Sequence, residues 1–217
     1  EAYKKFKKTI DIKPDHAQAI FNMGMILQAQ GNLEKSIKFY NKAILINPKF
    51  IQAYNNLGHA LREQGKLKDS MNCLIKLIKM QPRYANAYYN IGKNLILINK
   101  IREAEKYFLK AIDLNKNIQG VYNSLGNLYF HEDNFDSALK YFKKGISIKP
   151  EAGHILSSYW HLHQVCCDWS ESNLMNKEIN NFINKFKRNS RYEPMEPFML
   201  LSIFDDPEIH HKIAKKQ

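Results

Sequence analysis

The sequence predicts an all-α fold, a solenoid of stacked antiparallel helix pairs with a non-repeating helical cap at its C-terminal end. The first observation is a short phrase, Ala53–Leu61, whose pattern recurs along the chain with a glycine at a fixed place. These glycines lie 34 residues apart, at Gly24, Gly58, Gly92 and Gly126. A period held this strictly indicates stacked units, because one such unit cannot bury its apolar face alone.

The second observation is an apolar stripe in the first helix of each repeat. Apolar residues at i, i+3 and i+7 lie on one side of a helix. They are Ile20, Met23, Leu27, Tyr54, Leu57, Leu61, Tyr88, Ile91, Leu95, Tyr122, Leu125 and Tyr129. A turn is expected after each stripe, at Gly31, Gly65, Asn99 and Asp133, because these residue types tolerate a left-handed backbone.

The third observation is a pattern of small and large residues in each second helix. A small residue is followed by an aromatic residue or Leu and usually by another small one, as in Ala104, Phe108 and Ala111. Small residues let helices approach closely, and the larger ones fill the space between repeats. Prolines at 48, 82 and 150 are predicted to stop these helices. Lys116 takes the proline position in the third repeat, so a softer stop is expected there.

The repeats divide the chain into three predicted parts. Residues 1–16 contain the second helix of a truncated repeat, 17–152 contain four full repeats, and 153–217 form a helical capping or linker segment. Residues 153–165 have the length of another first helix, although Trp160 stands where the glycine would be. A long helix is expected over about 170–187. Because the chain starts inside a predicted helix, we expect it to be a piece of a longer protein.

The composition favours a cytoplasmic chain without a membrane partner. No apolar run approaches the roughly 18–20 residues that cross a bilayer. The three cysteines, Cys73, Cys166 and Cys167, form neither a disulfide framework nor a zinc pattern, which favours a reducing compartment. No basic residue flanks Cys166 or Cys167 to lower a thiol pKa, so these two cysteines are expected to pack and not to react.

The formal net charge of +12 raises the alternative of nucleic-acid binding. The lysines, however, are spread through every repeat and arginines are few, a pattern typical of a solvated surface. Nucleic acid is therefore a disfavoured partner. Binding of nucleic acid or of an acidic partner through the lysines stays as a third hypothesis.

The repeated phrase resembles a known repeat family. The order of Tyr54, Leu57, Gly58, Leu61, Ser70, Leu74 and Pro82 is similar to the tetratricopeptide consensus, and the period of about 34 residues agrees. The resemblance implies a right-handed superhelix whose concave groove binds extended peptide or protein segments.

The non-repeating segment carries a second resemblance. Residues 161–170, with His161-Leu162 and Cys167-Asp168-Trp169, resemble the junction that follows the repeats in protein O-linked N-acetylglucosaminyltransferases and their bacterial relatives. Residues 197–201 and 205–207 fit the same order. The resemblance implies a substrate-recruiting arm with a glycosyltransferase domain downstream. The chain itself is not expected to be an enzyme, because no catalytic residue of that family can be placed on it.

A column of asparagines is the leading candidate site. Asn22, Asn56 and Asn90 occupy one repeat position, beside the predicted stripe, on the side that tetratricopeptide stacks turn to their groove. An Asn amide both donates and accepts, so it can hold a peptide backbone whatever its side chains are. The second family named above also carries an asparagine ladder here. Ser124 interrupts the column in the fourth repeat.

Neighbouring positions on the same side complete the predicted groove. They are Phe21, Asn55, Tyr89 and Asn123, followed one turn later by Met25, His59, Lys93 and Asn127. For Phe21 and Tyr89, packing in the core is an equal alternative. A non-enzymatic scaffold or a co-chaperone is the alternative function. Co-chaperones of this kind bind an acidic C-terminus through a basic clamp in the groove. Only His59, Arg62 and Lys93 could contribute to such a clamp here.

The remaining motifs favour no cofactor and no metal. His154, His161, His163, His210 and His211 are grouped in sequence, but nothing makes three or four of them converge as a metal requires. We expect these histidines to pack or to lie on the surface. Phosphate loops and nucleophile elbows are lacking in the sequence.

Overall fold

The computed structural model describes residues 2–149 and 153–166, and these residues form ten α-helices and no strand. The chain divides into two compact units, Glu1–Asn115 and Lys116–Gln217. The first unit contains α1 Ala2–Ile12, α2 Ala17–Ala29, α3 Leu33–Ile46, α4 Ile51–Glu63, α5 Leu67–Met80, α6 Ala85–Leu97 and α7 Ile101–Leu114. The described part of the second unit contains α8 Gln119–His131, α9 Phe135–Ile148 and α10 Gly153–Val165.

The predicted helix pairs are confirmed. Helix α2 packs on α3, α4 on α5 and α6 on α7 in the first unit, and α8 packs on α9 in the second. Helix α1 packs against α2, as expected for the second helix of a truncated repeat, and α10 follows where another first helix was expected. The predicted stripe is buried except for Tyr88 and Tyr129, which are half-buried.

The repeated glycine is required by the large residue of the second helix. Tyr40, Leu74, Phe108 and Phe142 are at most 1% exposed. A Cβ atom placed on Gly92 would lie 2.4 Å from Phe108, and the same addition at the other repeat glycines would approach Tyr40, Leu74 and Phe142 to 2.4–2.7 Å. Each repeat is thus built on one close contact, in which a ring or a Leu side chain lies on the glycine backbone.

The four turns have the backbone that the sequence predicts. The φ angle is 76° at Gly31, 79° at Gly65, 59° at Asn99 and 56° at Asp133. Glycine adopts this left-handed region without steric cost, while Asn and Asp are the residues that tolerate it best after glycine. These four positions therefore end the first helices at the same point in each repeat.

The expected softer stop at Lys116 is wrong. Helix α7 ends at Leu114, in register with α3, α5 and α9, which end at Ile46, Met80 and Ile148. The reason lies one residue before the missing proline. Asn115 is extended, with φ −153°, and its N–H still bonds the Ala111 carbonyl at 2.9 Å, so the last turn closes without a proline.

The structural predictions for residues 167–217 lie outside the described residues, as do Pro150, Cys167, His210 and His211. Trp160, at the position of the missing glycine, is 7% exposed and forms part of the core of the second unit. In the part of the chain that the structure describes, no helix has both the length and the apolar character needed to cross a membrane.

Candidate functional site

Polar side chains from α2, α4 and α6 come together on one side of the first unit. These first helices contact one another in order, α2 with α4 and α4 with α6. We call this surface the first-helix face. It comprises Gln28, Asn55, Asn56, His59, Arg62, Glu63, Tyr89, Asn90 and Lys93.

Asn90 is the most buried asparagine of the predicted column. Asn90 is only 7% exposed, and its Nδ2 donates to Asn55 Oδ1 at 2.9 Å. Its Oδ1 accepts from Arg62 Nη1 at 3.1 Å. Asn90 therefore joins α4 to α6, and what it leaves for a ligand is one N–H and one lone pair.

Asn56 and Asn22 are half-buried and keep more of their hydrogen-bonding capacity. Asn56 Oδ1 accepts from Asn55 Nδ2 at 3.3 Å, and Asn22 Oδ1 accepts from Gln18 Nε2 at 3.1 Å. Burial raises the pKa of Tyr40 to about 12, although a hydrogen bond from the Asn56 side chain opposes this. The Tyr40 hydroxyl thus stays protonated and donates to Gln28 Oε1 at 2.8 Å.

Gln28 connects α2 to the polar side of α4. Its Nε2 lies 2.7 Å from His59 Nδ1 and 2.7 Å from Glu63 Oε2, and His59 Nδ1 lies 3.4 Å from that carboxylate oxygen. A neutral imidazole with its proton on Nε2 satisfies this arrangement, because Nδ1 then accepts from Gln28. Burial lowers the pKa of His59. The charges of Arg62 and Lys93 lower it further, and the charge of Glu63 opposes these effects.

Arg62 and Lys93 are the cations of the first-helix face. Arg62 is 8% exposed, and burial lowers the pKa of its guanidinium. Lys93 Nζ lies 5.6 Å from the centre of the Tyr89 ring, within the range of a cation–π contact. Burial is the main cause that lowers the pKa of Lys93, and the neighbouring Arg62 charge lowers it further.

Phe21 belongs to the core. It is 6% exposed, and its ring centre lies 4.9 Å from that of Phe50 and 5.7 Å from that of Tyr40. Of the two alternatives for Phe21, packing is therefore the one that its position favours. Tyr89 is half-buried, 5.9 Å from Phe108 between ring centres, so it both packs and reaches the face.

Asn123 and Asn127 lie on α8 in the second unit and are half-buried. The Oδ1 atom of Asn123 is buried and has no hydrogen-bond partner among the described residues. Six of the predicted residues, Asn55, Asn56, His59, Tyr89, Asn90 and Lys93, lie together on the first-helix face.

The histidines and cysteines of the second unit divide between packing and surface. His163 is 3% exposed and its ring centre lies 4.7 Å from that of Tyr159, while His161 is exposed beside Phe130. Among the described residues, no three His, Cys, Asp or Glu side chains form a group that could hold a metal ion. Cys166 is exposed, against the expectation that it packs, because it follows the last turn of α10.

Sequence reasoning missed Gln28 as a member of the face and gave Arg62 too little weight. A signal for both existed, because Gln28 and Arg62 occupy the same repeat position, 34 residues apart. Arg62 also continues the i, i+4, i+7 series that starts at Asn55 and His59.

A second chain of polar contacts was also missed. In it, Asn94 Nδ2 donates to Ser70 Oγ at 2.7 Å, and Ser70 Oγ donates to the Gly58 carbonyl at 2.6 Å.

Helix pairs in 34-residue register, each closed on a glycine and turned through a left-handed residue, define a helical-repeat protein. Tetratricopeptide-repeat models match residues 17–50, 39–71, 85–118 and 121–151, and a TPR-repeat model matches 58–95. Together these matches cover 17–118 and 121–151, more than half of the chain. The chain belongs to the tetratricopeptide-repeat proteins.

Solved structures agree with this fold. The chain is similar to the crystal structure of MamA, with 23% identity and a TM-score of 0.63 over 77% of this chain and 98% of MamA. It is similar to PilF of Pseudomonas aeruginosa, with 17% identity and a TM-score of 0.67 over 98% of this chain and 87% of PilF. YrrB, a TPR protein with an unusual peptide-binding site, gives 19% identity and a TM-score of 0.54 over 82% and 91%. No curated protein matches the chain.

The tetratricopeptide fold is that of a protein–protein interaction module. Repeats of this kind stack so that their first helices form a continuous surface, which suits an extended partner. The fold is typically non-catalytic, and the function of this chain is therefore argued from what its first-helix face presents.

Proposed function

We propose that the chain is a protein-interaction module whose first-helix face binds an extended segment of a partner protein. One observation carries the proposal. Four side-chain amides, on Gln28, Asn55, Asn56 and Asn90, lie on three successive first helices and hydrogen-bond to one another or to neighbouring polar groups. Most of the surface that packed helices share is apolar, so a polar layer of this length favours a binding role.

The amide layer suits a peptide backbone. An extended segment presents N–H and C=O groups along its length, and Asn and Gln side chains can donate to one and accept from the other. Each such hydrogen bond adds only about 0.5–1.5 kcal/mol net, so binding of modest affinity and broad sequence tolerance is expected. Asn22 on α2 extends the layer in the first unit, and Asn123 and Asn127 are proposed for the same role on α8 of the second unit.

Replacing Asn55 and Asn56 together by Ala is expected to weaken peptide binding about 5- to 30-fold, because at least two hydrogen bonds to the bound backbone are lost. The measurement uses the full chain and 12-residue peptides selected against it from a random display library. Titration calorimetry gives the dissociation constant of each peptide for the wild-type and double-variant chains.

A matched control is the double variant Asn41→Ala and Asn72→Ala. These asparagines are exposed and lie on the second helices α3 and α5, so they match the change in residue type without touching the first-helix face. This control should bind like the wild type. Equal affinity of the Asn55/Asn56 variant and the wild type for every selected peptide would remove the proposal.

The glycosyltransferase association is a finer proposal that depends on the second sequence resemblance. Most of the residues that carry it, 167–170, 197–201 and 205–207, lie outside the described residues. Under this proposal 153–217 links the repeats 17–152 to a sugar-nucleotide transferase domain, and the groove recruits that enzyme's acceptor proteins in the cytoplasm. The parent gene tests it directly, since a reading frame without such a domain would leave the non-enzymatic scaffold as the function.

A further inference from the structure

Arg62 is a buried cation without a carboxylate partner. It is 8% exposed, and no Asp or Glu oxygen lies within 4.0 Å of its guanidinium in the described ranges 2–149 and 153–166. Its hydrogen bond to Asn90 uses one of five N–H donors. Buried charges in proteins are normally paired, because an uncompensated charge out of water is costly. Burial lowers the pKa of Arg62 and Glu63 raises it, but Glu63 forms no ion pair with Arg62, so the buried guanidinium can still accept an anionic ligand.

The neighbours of Arg62 strengthen this argument. Lys93 lies over the Tyr89 ring on α6, the next first helix. His59 lies one turn before Arg62 on α4. The carboxylate on this side, Glu63, is already engaged by Gln28 Nε2 at 2.7 Å and lies 3.4 Å from His59. The charges of Arg62 and Lys93 both lower the pKa of His59, and Arg62 lowers that of Lys93, while Glu63 opposes both shifts, so these side chains lie within electrostatic range of one another. The face thus carries an excess of positive charge around Arg62.

We propose that an internal Asp or Glu side chain of the bound segment docks over Arg62, between His59 and Lys93. This inference rests on the proposed function, since it names the residue that the first-helix face selects in its partner. The carboxylate would pair with Lys93 and with the free N–H groups of Arg62, while the amides of Gln28, Asn55 and Asn56 hold the flanking backbone.

An internal side chain fits better than a chain terminus because of where Arg62 lies. It is on α4, the middle one of the three first helices, and polar groups of the face continue on α2 through Gln28 and on α6 through Asn90. A segment that crosses all three helices therefore extends to both sides of Arg62. A C-terminal carboxylate at this point would leave one side of the face without a partner.

The test compares peptide pairs on the full chain. Peptides are selected from a random 12-residue library, and each Asp or Glu is replaced in turn by Asn or Gln. At one internal position this change should weaken binding to the wild type by about tenfold or more, as expected for a hydrogen bond to a charged group. Amidation of the peptide C-terminus should leave the affinity unchanged.

Two variants assign the effect to Arg62. Arg62→Gln keeps a donor for Asn90 but removes the charge, and it should bind the acidic and amide peptides equally well. Arg102→Gln makes the same change at an exposed position on α7, and it should keep the wild-type preference. Lys93→Gln, at a half-buried position, should reduce the preference and serves in place of Arg62→Gln if circular dichroism shows that variant to be unfolded.

The outcomes separate this inference from the proposed function. If no peptide binds, the proposed function fails. If peptides bind through Asn55 and Asn56 but acidic and amide members bind equally, only the inference is overturned. A preference that survives in Arg62→Gln, or that disappears when the peptide C-terminus is amidated, also overturns it, the latter in favour of a terminal carboxylate.

Discussion

Replacing Phe108 by Ala is expected to lower the free energy of unfolding by about 3–5 kcal/mol, the usual cost of removing a fully buried phenylalanine. Phe108 is 0% exposed and lies on the backbone of Gly92. Ala104 and Ala111 on the same helix are also fully buried, and we expect this packed surrounding to close only partly over the cavity. Urea denaturation followed by circular dichroism gives the change.

The control for this prediction is Leu109→Ala, the next residue of the same helix. Leu109 is 42% exposed, so its truncation should change the free energy of unfolding by well under 1 kcal/mol. A similar small loss for Phe108→Ala would show that the close contact between the ring and Gly92 does not stabilise the repeat.

Replacing Gly92 by Ala is expected to destabilise the chain by about 1–3 kcal/mol. The opposite sign would be expected of an ordinary helix, in which Gly→Ala gains roughly 0.5–1 kcal/mol. The reversal follows from the 2.4 Å distance between the new Cβ and the Phe108 ring, which neither helix can accept without moving. Thermal and urea unfolding of the two chains give the sign and the size.

A double-variant cycle isolates the contact. Gly92→Ala should cost much less in a chain that already carries Phe108→Ala, because the new methyl group then enters the space that the ring has left. Stabilisation by Gly92→Ala alone, or strict additivity in the cycle, would contradict the contact between this glycine and the ring.

Most of the fold could be predicted because the repeat shows itself in the sequence. A spacing of 34 residues placed the helices, and the residue types at Asn99 and Asp133 predicted the left-handed turns correctly. The stop at Lys116 was predicted wrongly, since proline is one of several ways to end a helix. There the helix ends at an extended Asn115 without a proline.

The candidate site was harder to predict because its contacts join residues that are far apart in sequence. The asparagine column is visible in the repeats, but the sequence alone does not show that Asn90 is held by Asn55 and Arg62 from the preceding repeat. Nor does it show that Phe21 is buried while Tyr89 reaches the face. These outcomes depend on how neighbouring first helices pack, which the single-helix pattern leaves open.

The most direct test of the central claim is to locate a selected peptide on the chain. Nuclear magnetic resonance of the ¹⁵N-labelled chain follows the side-chain amides of Gln28, Asn55 and Asn56 during titration. If the first-helix face is the binding surface, these signals and the backbone amides of α4 and α6 shift most. Shifts confined to the second helices α3, α5 and α7, with the three side-chain amides unchanged, would contradict the claim.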